Sequence, residues 1–210
     1  MLARTYLGHW LSGQCPGCAH HYRFGLCQAC QLRGALKART SGGQVCFALG
    51  VYAGVLSERI GQLKYHDETL WAWPLGNALG QLIPLGLRHC TLVPVPLHPV
   101  RLAERGYNQS ALLARSIAKT CGMSVEFDVV QRTTQTAQQA RLKSAERKQN
   151  TAAAFRAGPR TRKLSSPVLL VDDVVTTGHT VDACALALEQ GGRCVQGVVC
   201  LALSGSRPIG

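Results

Sequence analysis

Acidic side chains are scarce in this chain: 11 Asp and Glu stand against 23 Lys and Arg in 210 residues, a formal charge of +12. Such a balance favours an anionic partner, whether nucleic acid, a phosphorylated metabolite or an anionic surface. Charged residues of both signs reach only 16%, whereas 46% are hydrophobic. That excludes wholesale disorder and leaves enough apolar side chain for a sizeable core. Long apolar runs are missing too. The long uncharged stretch Leu70 to Leu87 is interrupted by Pro74, Asn77, Gln81 and Pro84, so it offers no continuous ~20 apolar residues for a bilayer. Met1 to Gln14 has no apolar signal core, and a cytoplasmic location without membrane insertion is expected. No Gly-Lys pair occurs, which removes the phosphate loop of an NTPase.

Cysteine, by contrast, is abundant, with ten residues. Without a signal peptide, thiols and metal are the expectation rather than disulfides. Cys15-x-x-Cys18 and Cys27-x-x-Cys30 form two knuckles separated by eight residues, and Pro16 and Gly17 let the first one turn tightly. Four thiolates suit tetrahedral zinc. The short separation leaves two disulfides, a redox Cys-x-x-Cys or recruitment of His20 or His21 as alternatives. Cys46, Cys90, Cys121, Cys184, Cys194 and Cys200 stand singly in apolar surroundings and read as small buried hydrophobes.

These marks divide the chain into a zinc ribbon over residues 1–31, a linker over 32–44 containing Gly34, Gly42 and Gly43, and one main domain over 45–210. In that domain Cys46–Tyr52, Cys90–Val95, Val125–Val130, Val168–Val171 and Cys194–Leu203 read as strands. Gln109–Cys121 reads as a helix with Leu112, Leu113, Ile117 and Cys121 on one face. Val181, Cys184, Ala185 and Leu188 repeat the spacing before Gly191-Gly192 stops the helix. Buried strands alternating with helices predict an α/β fold, a mostly parallel sheet with flanking helices. The segment containing Arg141, Lys143, Arg147, Lys148, Arg156, Arg160, Arg162 and Lys163 faces only Glu146 and is strongly basic.

Chemistry concentrates after the fourth of these strands. Val168 to Val171 lead into Asp172-Asp173, then Thr176-Thr177-Gly178-His179-Thr180 opens a helix. Ligands of open α/β sheets bind outside the carboxyl ends of strands. Hydroxyls and backbone N–H groups at a helix N-terminus suit a phosphate monoester. The carboxylates are acceptors only, and suit sugar hydroxyls or a hydrated Mg²⁺. A capping pair is the plain alternative for two adjacent aspartates. The whole run resembles the phosphoribosyl diphosphate (PRPP) loop of type I phosphoribosyltransferases. That likeness implies that Asp172 and Asp173 contact the ribose and that Thr176, Thr177, Gly178 and Thr180 bind the 5′-phosphate.

The remaining motifs narrow the likeness. The four-cysteine ribbon, Leu63-Lys64-Tyr65, Leu92-Val-Pro-Val-Pro96, Arg101, Arg105-Gly-Tyr-Asn-Gln109, Arg147, Asn150 and Phe155 resemble the ComF family of competence-associated proteins. The family joins a zinc-binding segment to a phosphoribosyltransferase-like domain, and the likeness departs from its pattern at Gln139-Ala140-Arg141-Leu142. Taken by themselves, Arg101 and Arg105 with Gly106 in one short loop suit a diphosphate clamp, or form a basic surface turn. Lys64 closes an amphipathic segment from Val55 and equally favours a helix C-terminus. For Arg147 and Asn150 the resemblance to phosphoribosyltransferases implies a lid that excludes water from the site, and the plain alternative is an exposed basic helix.

Two functions from different classes are expected from this. One is a PRPP or ribose 5-phosphate binder linked to natural transformation and DNA uptake, contacting single-stranded DNA or DNA-uptake proteins through its ribbon and basic segment. The alternative is an Mg²⁺-dependent pentosyl (glycosyl) transferase that displaces diphosphate from PRPP with an unidentified acceptor.

Overall fold

The computed structural model describes Cys15 and residues 35–65, 69–133 and 154–205. Thirteen of its elements set the architecture: β1 (Leu36–Arg39), β2 (Val45–Val51), α1 (Gly54–Tyr65), a single 3-10 turn (Thr69–Trp71), α2 (Ala72–Gln81), β3 (Thr91–Pro94), α3 (Pro99–Arg105), α4 (Gln109–Cys121), β4 (Val130–Arg132), β5 (Phe155–Ala157), β6 (Val168–Val175), α5 (His179–Gln190) and β7 (Val195–Leu203). The five-stranded sheet runs β1-β2-β7-β6-β3, and β4 and β5 form a separate ribbon. Strands β2, β7, β6 and β3 are parallel, while β1 lies antiparallel on the edge beside β2. The fold is therefore α/β with a mostly parallel sheet, as expected.

Each face of the sheet is covered, which is why Val-Leu-Leu-Val in β6 and Val-Val-Cys-Leu-Ala-Leu in β7 are continuous apolar runs. Leu49, Leu92, Leu169, Val171, Val199 and Leu201 pack with α1, α2 and α4 through Ile60, Leu79, Leu113 and Ile117. Their neighbours Ala48, Val93, Leu170, Val198 and Cys200 pack with α5 through Val181, Cys184 and Leu188. Alternation along each strand thus sorts side chains between the two layers. Helix α2 approaches α4 closely: a Cβ on Gly76 would lie 2.5 Å from Ser116 Cβ.

Several expectations change in the structure. Leu36–Arg39, placed in the linker, pairs with β2 as strand β1. Its exposed Lys37 and Arg39 are charges that protect a sheet edge, while Ala38 is buried. The strand at Val125–Val130 reduces to a parallel bridge between Leu92 and Val125. Asp128, at φ +59, turns the chain before β4 starts at Val130. Strand β6 continues to Val175, so the two aspartates lie inside it. Arg101 and Arg105 sit on helix α3, not in a loop, because His98 caps its start and Gly106, at φ +76, ends it. Cys46, Cys90, Cys184 and Cys200 are buried as predicted, whereas Cys121 is half-buried and Cys194 exposed. Among the described residues, no helix is long and apolar enough to cross a membrane.

Candidate functional site

The topology reverses at β3. On one side β3 pairs with β6, and on the other Leu92 bridges Val125, reached through α4. From β6 the chain runs away from β3 to β7, over α5 on the opposite face. A crevice outside the carboxyl ends of adjacent strands is the ligand position where an α/β sheet reverses in this way. At this place the chain puts Asp172 and Asp173 of β6, the end of β3 at Val95, and the start of α4. Asn108 fastens the last two: its Nδ2 donates to Val95 O at 3.0 Å, and its Oδ1 accepts from Ser110 N at 3.0 Å as the helix cap.

Adjacent strand residues face opposite sides, so the two carboxylates have different neighbours. Asp173 is 5% exposed. Its Oδ2 lies 2.9 Å from Lys64 Nζ, and its Oδ1 accepts from Val174 N at 2.6 Å. Asp172 Oδ1 accepts from Ser110 Oγ at 3.0 Å and from Asp173 N at 2.9 Å. Burial first, and the charge of Asp173 second, push the Asp172 carboxyl up to about 7 against the pull of those two donors and of Lys64. Tyr107 closes the arrangement by donating to Leu63 O at 2.6 Å, which ties the end of α1 to the segment before α4.

Beyond β6, Thr176 and Thr177 are exposed and Thr180 is half-buried. Gly178, at φ +86, forms the N-cap of α5, which no side chain caps. Only glycine fits there, since a Cβ would lie 2.4 Å from Thr40 Cβ. Thr177 Oγ1 and His179 Nδ1 are 2.9 Å apart. The site thus sets two carboxylates, one of them with its pKa raised by burial, a few residues before an uncapped helix start.

No family model matches the chain. It is 33% identical over 216 residues to the DNA utilization protein YhgH of Salmonella typhimurium, covering 93% of this chain and 91% of that protein. The YhgH protein of Escherichia coli K12 is 32% identical over 220 residues with the same coverage. The chain belongs to the ComF family. Competence protein F of Haemophilus influenzae is 29% identical over 155 residues, 69% of this chain and 66% of that protein.

In this ComF-family chain the structure brings Lys64, Asp172 and Asp173 together, with Thr176 to Thr180 following directly in sequence. Arg101 is exposed on α3, and Arg105 is half-buried with Nη1 donating to Gln109 Oε1 at 2.5 Å. Arg147, Asn150, Cys18, Cys27 and Cys30 lie outside the described residues, while Cys15 is buried. Thr133 N donates to Ala154 O at 2.8 Å, so the chain leaves β4 and returns to β5 at one point. The sequence offers no role for Ser110, nor for Tyr107 beyond its place in the Arg105–Gln109 run. Ser110 follows the Arg-Gly-Tyr-Asn-Gln run directly, but only the fold reveals its aspartate partner. Among the described residues no group of three or more His, Cys, Asp or Glu side chains is gathered as for a metal.

Proposed function

We propose that this protein binds PRPP or ribose 5-phosphate at the carboxyl end of β6 and acts in the use of DNA. The observation that carries the sugar-phosphate reading is the meeting, at the reversal of the sheet, of Asp172 and Asp173 with the uncapped start of α5. Carboxylates accept from ribose hydroxyls, and the helix start supplies N–H donors and positive potential to a phosphate. Their oxygens also suit a hydrated Mg²⁺ brought with PRPP, because that ion prefers a few carboxylates plus water and phosphate. The phosphoribosyltransferase-like character of the domain, and Arg101, Arg105 and Arg147 as partners of the diphosphate, belong to the same proposal.

Calorimetry with PRPP and ribose 5-phosphate, with and without Mg²⁺, tests it. Asp172→Asn with Asp173→Asn is expected to weaken binding at least tenfold, since each lost charge-assisted hydrogen bond is worth about 1.5–3 kcal/mol. Equal binding by both proteins would place the ligand elsewhere. Release of diphosphate from PRPP in the presence of candidate acceptors distinguishes turnover from binding.

The N-terminal segment belongs to the proposal as a zinc ribbon held by Cys15, Cys18, Cys27 and Cys30, a donor set that fits tetrahedral zinc. A segment of ~30 residues has too little core to hold its shape without such a staple. Elemental analysis of reduced protein is expected to find one zinc per chain, and Cys15→Ser to release it. Metal-free wild type would remove this assignment.

Relatives named for DNA utilization and competence favour a second, compatible reading, direct contact with single-stranded DNA. Arg160, Arg162 and Lys163 are exposed after β5, with Arg160 Nη1 lying 3.4 Å from Glu126 Oε2. For about four neutralised phosphates, log K should fall against log salt with a slope near −3, from roughly 0.7 per contact. Changing these three to Glu should flatten the slope, whereas the Asp172/Asp173 variant should keep DNA binding. Fluorescence anisotropy at several salt concentrations reads both, and absence of binding at low salt would refute DNA contact.

A further inference from the structure

The turn between β1 and β2 is fastened to the start of α5. Thr40 Oγ1 donates to Asp182 Oδ1, Ser41 Oγ donates to Asp182 Oδ2 at 3.1 Å, and Gly42 N donates to Asp182 Oδ2 at 2.8 Å. Ser41 N also donates to Thr177 O at 3.5 Å. The contact leaves no room on either side: a Cβ on Gly42 would lie 2.6 Å from Asp182 Cγ, and one on Gly178 2.4 Å from Thr40 Cβ. Asp182 is the acidic residue in the first turn of α5. A carboxylate there would ordinarily serve the amides of its own helix. Here it reaches out of the helix to three donors of another segment. Its oxygens are thereby engaged by the 40–42 segment, and no side chain caps the Gly178 start of α5.

We infer that the Thr40–Gly43 turn is a latch that holds the 176–180 loop in its ligand-receiving shape, with Asp182 as the positioning residue. The inference deepens the sugar-phosphate reading and rests on it for the ligand. Linkage makes the effect reciprocal: occupation of the loop tightens the turn, and with it the edge strand β1. Asp182 does not touch the ligand in this account, and its effect passes through the loop backbone.

Hydrogen exchange on the full chain, with and without saturating ribose 5-phosphate, tests the latch. Asp182→Asn replaces one acceptor oxygen by a donor group facing Gly42 N or Thr40 Oγ1, and Thr40→Val with Ser41→Ala removes the opposing hydroxyls should the first variant fold poorly. Without ligand, either variant is expected to exchange faster in both 40–44 and 176–180, with β6 and β7 unaltered. Ribose 5-phosphate should slow exchange at 40–44 in the wild type, and the variants should bind it about tenfold more weakly, within the usual span of coupling between sites. Loosening confined to 40–44, with wild-type exchange at 176–180 and wild-type affinity, would overturn the latch while leaving the ligand reading intact. A wild type that binds neither ribose 5-phosphate nor PRPP would overturn the ligand reading and the coupling to occupancy together.

Discussion

Lys64→Met is expected to cost the folded protein about 3–5 kcal/mol, the usual penalty for removing one partner of a buried ion pair. Asp173 would keep its place in β6 with Oδ2 deprived of the Lys64 ammonium 2.9 Å away, in a side chain only 7% exposed. Methionine fills nearly the volume of the lysine stem, so lost packing contributes little. For a chain of this size the melting temperature should fall by roughly 6–20 °C, at 2–4 °C for each kcal/mol. Denaturant unfolding near neutral pH measures the loss directly. Adding Asp173→Asn should restore most of it, because the amide oxygen still accepts from Val174 N and position 173 no longer carries a buried charge without its partner. Strict additivity in this double-mutant cycle would mean that the two groups stabilise the fold independently, against the geometry.

That pair also shows where sequence reasoning stops. Lys64 closes a helix that is legible from Val55 onward, and its position suits the helix dipole, which is a sufficient local account. Its partner is 109 residues away in sequence, and no periodicity links them. By contrast, α4 coincides with its predicted bounds because both ends carry local signals: the Asn108 cap and Gly122 in the left-handed conformation. Strands β6 and β7 were visible as apolar runs for the same local reason. Helix α2 was not, since Pro74, Gly76 and Gly80 are poor helix formers in isolation. Packing against α4 requires two of those residues, as a Cβ at Gly76 or Gly80 would meet Ser116 or Cys121 within 3 Å. Strand β1 escaped because charged residues beside small ones describe a protected edge as well as a linker. The aspartates, the threonines and Gly178 were legible as one motif, but Ser110 and Asp182 became visible only with the strand order and helix placement that bring distant segments to them.

Asp172→Asn is expected to stabilise the protein at alkaline pH while weakening its ligand site. In the folded chain the Asp172 carboxyl stands at about 7, against 3.8 for an exposed aspartate. Between those values the native state holds a proton that the unfolded chain has released, so this group makes stability fall as pH rises. Its favourable contribution is complete below about 4 and lost once pH passes 7. Asparagine carries no such dependence and still accepts from Ser110 Oγ and Asp173 N through its amide oxygen. A rise from 3.8 to about 7, at about 1.4 kcal/mol for each pH unit, sets an upper bound of ~4 kcal/mol, and because the titration is shared with Asp173 the expected gain is about 2 kcal/mol. At pH 8 the variant should therefore melt some 4–8 °C above the wild type, and the gap should close as the pH is lowered to 5. A constant difference across that range would show that Asp172 titrates normally. A gap that opens with pH, together with weaker ribose 5-phosphate binding, is the signature of a carboxylate kept for a ligand at the expense of the fold.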